Sequence, residues 1–249
     1  MNKKKIITIF TLPLMWLAYF SFELLSGNIN TSYNLIMNLL LTTIFLGFGW
    51  FLYKLYETFS EGFKPKILWI IFSLLILTDQ ITKIIIQNFF FVKRFEIIPN
   101  FLSFHPIINT KGSWLNVRFN IGINFPILII LNIIAIFLFI EFYRYYTYLG
   151  NKSFWSDLCF LTISSGCICS LIDKVFYGGS LDFIGISNLF IADFKDIYIN
   201  IAIFAFILTA YFSGYLTSND HSTLKDDLNS INNFFKFILK DIKISKNNL

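Results

Sequence analysis

Six stretches of about 20 predominantly apolar residues, at 6–25, 33–55, 67–91, 125–146, 154–175 and 197–216, set the limits on what this chain can fold into. Each is long enough to cross a bilayer core as a helix, the backbone form that satisfies its own polar groups in lipid. The expected fold class is therefore an all-α polytopic membrane protein with six transmembrane helices. Composition agrees, because 56% hydrophobic and 14% charged residues in 249 leave more apolar surface than a soluble domain could cover. The net charge of +5 implies no nucleic-acid partner, since the basic residues sit in short clusters between the apolar runs. Cys159, Cys167 and Cys169 fall inside one apolar run and read as small buried side chains, not as a disulfide framework or zinc site. The first run follows Lys3, Lys4 and Lys5 but is too long for a signal peptide, and Ser26-Gly27-Asn28 is a poor cleavage site. It is expected to remain as an anchor.

Basic residues set the orientation. With the N-terminus inside, Lys3, Lys4, Lys5, Lys54, Lys64, Lys66, Arg144, Lys152 and the lysines from Lys225 to Lys246 are cytoplasmic, and so are both termini. Three segments then face outward: a turn near Asn28, a long stretch at 91–124, and a loop at 176–196. The long stretch has strand-like runs at 95–98, 102–108 and 114–119, broken by Pro99, Pro106 and Gly112, and predicts a small extracytoplasmic β platform with Trp114 at membrane level. The chain divides into a two-helix N-terminal membrane extension (1–60), a four-helix core (61–217) and a polar cytoplasmic tail (218–249). The weakly amphipathic part of that tail, at 228–244, is expected to rest on membrane lipids.

Ionisable groups at a membrane boundary are costly and usually functional. Asp79 and Lys83 stand four apart near the outer end of the third helix, so they can pair. Asp173 and Lys174 end the fifth helix at the same level, Asp182 follows, and Asp193 and Asp196 open the sixth. Two close carboxylates cannot both ionise cheaply, so one keeps its proton while the other acts as base on water, the working state of an aspartic protease. The alternative is that Asp193 and Asp196 only cap their helix while Asp79 and Asp173 only form ion pairs. His105, in the platform, and His221, in the tail, are far apart in sequence. No clustered metal site is expected.

The wording of these segments resembles the lipoprotein signal peptidase (signal peptidase II) family over roughly 67–216. Asp79-Gln80-Ile81-Thr82-Lys83 matches DQxxK. The stretch from Glu96 to Phe101, followed by Asn109-Thr110-Lys111-Gly112, resembles the part ending in NxGxAF, with one residue more between Asn and Gly. Residues 165–174 resemble GGAxGNxxDR, with Ser170 for Asn and Lys174 for Arg, and residues 178–184 resemble GxVVDFI. Two registers fit the closing FNxAD motif. One aligns Ala192-Asp193. The other aligns Asp193-Phe194-Lys195-Asp196 and keeps the apolar pattern of the helix that follows, which favours it.

The resemblance implies a membrane aspartyl endopeptidase of the bacterial inner membrane, with its active site at the extracytoplasmic face, that removes signal peptides from diacylglyceryl-modified prolipoproteins by cutting before the lipidated cysteine. Asp182 and Asp196 would be the catalytic pair, with Asp193 as the alternative partner or a substrate-binding group. Asn109 and Ser170 would hold substrate, and Asp79, Lys83, Asp173 and Lys174 would brace the site. It implies no cofactor and no metal, and the enzyme would work as a monomer. Two other readings carry the same carboxylates: a proton-coupled small transporter, and an inactive relative that binds prolipoproteins.

Overall fold

A computed structural model describes residues 3–110, 122–187, 189–216 and 224–247. The predicted strand run at 114–119, with Trp114 and Gly112, and His221 lie outside them. Six helices are long and apolar enough to cross a membrane. In order they are α1 (Lys3–Leu25), α2 (Ser32–Thr58), α3 (Pro65–Ile85, continued by a π turn, Ile86–Phe90), α4 (Phe125–Tyr148), α5 (Phe154–Phe176) and α6 (Phe194–Phe212). They match the six apolar runs to within a few residues. The protein is a polytopic membrane protein.

Packing explains how α1 and α2 join the rest. Pro13 in α1 has no N–H to give to the carbonyl of Ile9 one turn earlier. Gly49 of α2 lies against that carbonyl so closely that a Cβ there would come within 2.7 Å of the oxygen. This close crossing uses a small residue in the way membrane helices commonly do. Leu12 and Leu52 from the pair then meet Phe63, Phe154, Trp155, Leu161, Phe204 and Leu208 in the main buried cluster, with Tyr56 stacked on Trp155 at 5.5 Å.

Near that cluster the start of α5 is clasped by its neighbours. Asp157 is fully buried; its Oδ2 accepts from the Phe63 N–H at 2.6 Å and its Oδ1 from the Tyr143 hydroxyl at 2.7 Å. Lys152 adds an ion pair at 3.7 Å. Gly62, at φ +91°, makes room for that carboxylate, because a Cβ would sit 2.5 Å from its Oδ2.

At the opposite end of α5 lies a four-stranded antiparallel sheet in the order β1 (Phe95–Ile98), β2 (Leu102–Asn109), β3 (Ser180–Ile186), β4 (Phe190–Ala192). The expected platform is therefore present, and it draws on two segments. The sequence predicts a loop around Asp182; the structure corrects this by pairing its strand with β2, so that Ser180 faces Asn109 and Asp182 faces Ile107. The ladder breaks between Phe104 and Ile107, where Pro106 cannot donate a hydrogen bond. Tyr19 of α1 packs edge-on to Phe190 of β4 at 5.7 Å, which brings the first helix to this sheet.

The tail also gains structure. A helix, α7 (Leu224–Asn247), lays Phe234 flat on Phe142 of α4 at 4.4 Å and sets Phe237 beside Tyr145 and Tyr148.

Candidate active site

Three helix ends and one strand deliver carboxylates to the same place. Asp79 and Lys83 share a face of α3 because they are one turn apart. Asp173 comes from the last turn of α5, and Asp182 from β3. Asp193 is the N-cap of α6, with its carboxylate accepting from the Asp196 N–H at 3.2 Å, while the Asp196 carboxylate returns to the Asp193 N–H at 3.1 Å. That reciprocal arrangement is a capping box, so both residues do cap α6, as the structural alternative expected. They also do more than cap. Oxygens of Asp182, Asp193 and Asp196 all lie within 4.8 Å of one another.

Buried carboxylates at this spacing repel unless positive charge lies among them. Lys83 supplies part of it, with its Nζ 2.8 Å from Asp79, 2.7 Å from Asp173 and 2.7 Å from Asp193. Lys195 supplies the rest. Its ammonium bonds Asp193 and the Ser180 hydroxyl closely and sits 3.5 Å from both Asp173 and Asp182. Asp182 is held from both sides, by Ser180 Oγ at 2.7 Å on Oδ1 and by Asn109 Nδ2 at 2.9 Å on Oδ2. Asp79, Asp173 and Asp193 are fully buried and Asp182 nearly so, whereas Asp196 is half-buried and partly open.

The two carboxylates outside the helices differ in charge preference. Burial pushes the Asp182 carboxyl above the ordinary carboxylate range; Lys195 opposes that shift and the charge of Asp193 adds to it. Burial acts the same way on Asp193, but Lys195 and Lys83 outweigh it and hold that carboxyl below its ordinary value. An acid cluster that separates its members in this way can keep one anion fixed while another exchanges a proton.

Of the residues singled out from sequence, Asp79, Lys83, Asp173, Asp182, Asp193, Asp196 and Asn109 come together. Ser170 and Lys174 instead bond to each other one turn apart on α5. Ser180 and Lys195 are the two members that sequence reasoning missed. Ser180 is two residues before Asp182, the spacing that puts both on one face of a strand. Lys195 puts a cation in a helix first turn, where the dipole disfavours it. Each was a usable signal.

Two glycines allow the assembly. Gly166 of α5 faces the Lys195 carbonyl, 3.3 Å from where a Cβ would stand, so α6 can press its first turn onto α5. Gly179 leaves room for Ile108 and for the Asn109 carbonyl, which a Cβ would meet at 3.1 Å.

Comparison with known proteins places this arrangement. No curated protein matches the chain. A solved bacterial membrane enzyme, determined by the in meso method at 2.3 Å resolution, superposes with a TM-score of 0.52 at 19% identity over 66% of this chain and 99% of that one. A second bacterial membrane enzyme, determined by the same method at 1.9 Å, gives a TM-score of 0.48 at 21% identity over 60% of this chain and 94% of that one. The first likeness shows a shared fold. The family model described as Signal peptidase (SPase) II matches residues 71–212. That span is more than half of the chain and holds every carboxylate of the cluster, so the chain belongs to the signal peptidase II family.

Proposed function

We propose that the protein is the lipoprotein signal peptidase its family membership suggests, an aspartic endopeptidase that cuts prolipoproteins just before a diacylglyceryl-modified cysteine. The observation that carries this reading is the approach of the Asp182 and Asp196 carboxylates within the segment that matches the family.

Asp182 is the base and Asp196 the acid. With both oxygens of Asp182 accepting hydrogen bonds, its anion is held in place ready to take a proton from water. As the water oxygen bonds to the scissile carbonyl carbon, the Asp196 carboxyl gives its proton to the carbonyl oxygen. On collapse the C–N bond breaks, the leaving nitrogen takes the proton held by Asp182, and Asp196 recovers the proton from the oxygen. Both groups end as they began. The partial exposure of Asp196 supports this assignment over Asp193, whose carboxylate is fully buried and committed to two ammoniums and a helix cap. Asn109, which donates to Asp182, holds substrate beside the pair, and Asp79, Lys83 and Asp173 brace the centre. Residues 61–217 form the catalytic unit, with α1 and α2 as an added hairpin. Ser170 and Lys174 sit beside the cluster as support.

The family membership supports an inner-membrane location, and the lysine distribution supports an orientation with both termini cytoplasmic and the acid cluster at the outer rim. Substrates then arrive laterally from the bilayer as lipid-modified signal peptides. The deciding experiment is release of the signal peptide from a lipidated precursor by the purified protein, with inhibition by globomycin, the antibiotic associated with the family. A folded protein that leaves the precursor intact would overturn the proposal. A cysteine placed at Asn28 should react with an impermeant thiol reagent in intact cells; protection there would reverse the orientation.

A further inference from the structure

Lys195 stands where two physical rules disfavour it. It occupies the first turn of α6, whose dipole repels a cation, and its side chain is 8% exposed in a setting where an unpaired ammonium is costly. Its surroundings account for the placement. From α3 come Asp79 and Lys83, from α5 Asp173 and Lys174, from β3 Ser180 and Asp182, and from α6 itself Asp193 and Asp196.

Ser180 shows what the ammonium does. The Ser180 hydroxyl has one proton to donate, yet its oxygen lies 2.7 Å from Asp182, 3.0 Å from Asp173 and 3.1 Å from Asp193. One hydroxyl cannot serve three carboxylates. Lys195 donates to that oxygen and also to Asp193. The nearest acceptor left for the serine proton is Asp182 Oδ1, so a chain of donors runs from Lys195 through Ser180 to Asp182.

We propose that Lys195 is a positioning residue of the aspartate pair, which acts through Ser180 to hold the Asp182 carboxylate as an oriented anion and so fixes Asp182 as the base. This rests on the peptidase reading above and adds a group to it. Asp193 anchors the ammonium. Asn109 completes the grip from the other side. Because Lys195 reaches Asp182 through space at 3.5 Å as well as through Ser180, removing either link weakens the hold on the anion.

The test compares pH–rate profiles for lipidated precursor cleavage by the full-length protein and by Lys195→Met, Lys195→Arg and Ser180→Ala, each checked for folding by thermal unfolding in detergent. Lys195→Met should lose kcat by about tenfold or more with little change in KM, and its acidic limb should move up by about one pH unit. Lys195→Arg should return the limb to its original place. Ser180→Ala, which keeps the ammonium, should move the limb in the same direction by less. A substrate-free reading comes from infrared titration of the Asp182 carboxyl band, assigned by its loss in Asp182→Asn; that band should titrate at higher pH in Lys195→Met. If Lys195→Met does not fold, Ser180→Ala decides alone. Unmoved limbs and an unmoved carboxyl band would overturn the role of Lys195 and leave the peptidase reading standing. A wild-type protein that cuts nothing while the band still shifts would overturn the peptidase reading and leave the hold of Lys195 on Asp182 standing.

Discussion

The two ends of α5 each bury an aspartate, and they bury it differently. Asp157 and Asp173 are 16 positions apart, which separates them by about 24 Å along the helix. At the Asp157 end each oxygen has its own donor, from the Phe63 amide and the Tyr143 hydroxyl, with one lysine at the margin. At the Asp173 end carboxylates outnumber the ammoniums among them and share donors, and Asp196 opens outward. Burial of an acid is therefore no mark of chemistry by itself. What separates the ends is a surplus of carboxylate over donor, next to an opening through which a substrate could come.

The sharpest way to break this comparison is to remove charge at the open end. Asp182→Asn and Asp196→Asn should each lower precursor cleavage by about a thousandfold or more, because an amide can neither take the proton from water nor return one. Both variants cleaving at the wild-type rate would make the two ends alike. Asn109→Ala should lose about a hundredfold in the same assay while the protein stays folded, since it frees one oxygen of Asp182. Asp193→Asn should lose about tenfold or less, because the amide oxygen can still cap α6. If Asp193→Asn were dead and Asp196→Asn active, the pair would be Asp182 with Asp193. A smaller effect lies in the pH profile: the proposed mechanism uses Asp182 as an anion and burial raises its carboxyl, so cleavage should fall off on the acid side at a pH above the ordinary carboxylate range. At the closed end Asp157→Asn should leave cleavage per folded molecule unchanged and lower stability by about 1–3 kcal/mol, read from thermal unfolding in detergent.

The helices were legible because lipid demands length and apolarity, and both are written along the chain. Asp79 with Lys83 was legible too, since four residues are one helical turn. The sheet was only half legible. Phe95–Ile98 and Leu102–Asn109 carry a strand-like pattern, but Ser180–Ile186 is buried at nearly every position and shows no alternation to read. Lys195 left one trace in the sequence, a cation in a helix first turn, but the partners that explain it, Ser180 and Asp182, are brought to it by tertiary pairing alone. The tail helix is faint for a similar reason: Phe234 and Phe237 look like scattered aromatics until Phe142 and Tyr145 of α4 meet them.

The pairing of β2 with β3 has one more consequence. Side chains alternate along a strand, so Ser180 and Asp182 face the acid cluster while Leu181 and Phe183 turn the other way, into a small apolar nest with Ile86. A slip of a single residue would present leucine or phenylalanine to the water instead of an acid. On the partner strand, the extra residue around Pro106 sets the register that brings Asn109 opposite Ser180. A one-residue insertion or deletion there would carry Asn109 away from Ser180 and Asp182 and loosen the grip on Asp182 without altering any of the acids, which makes the sheet a ruler as much as a platform.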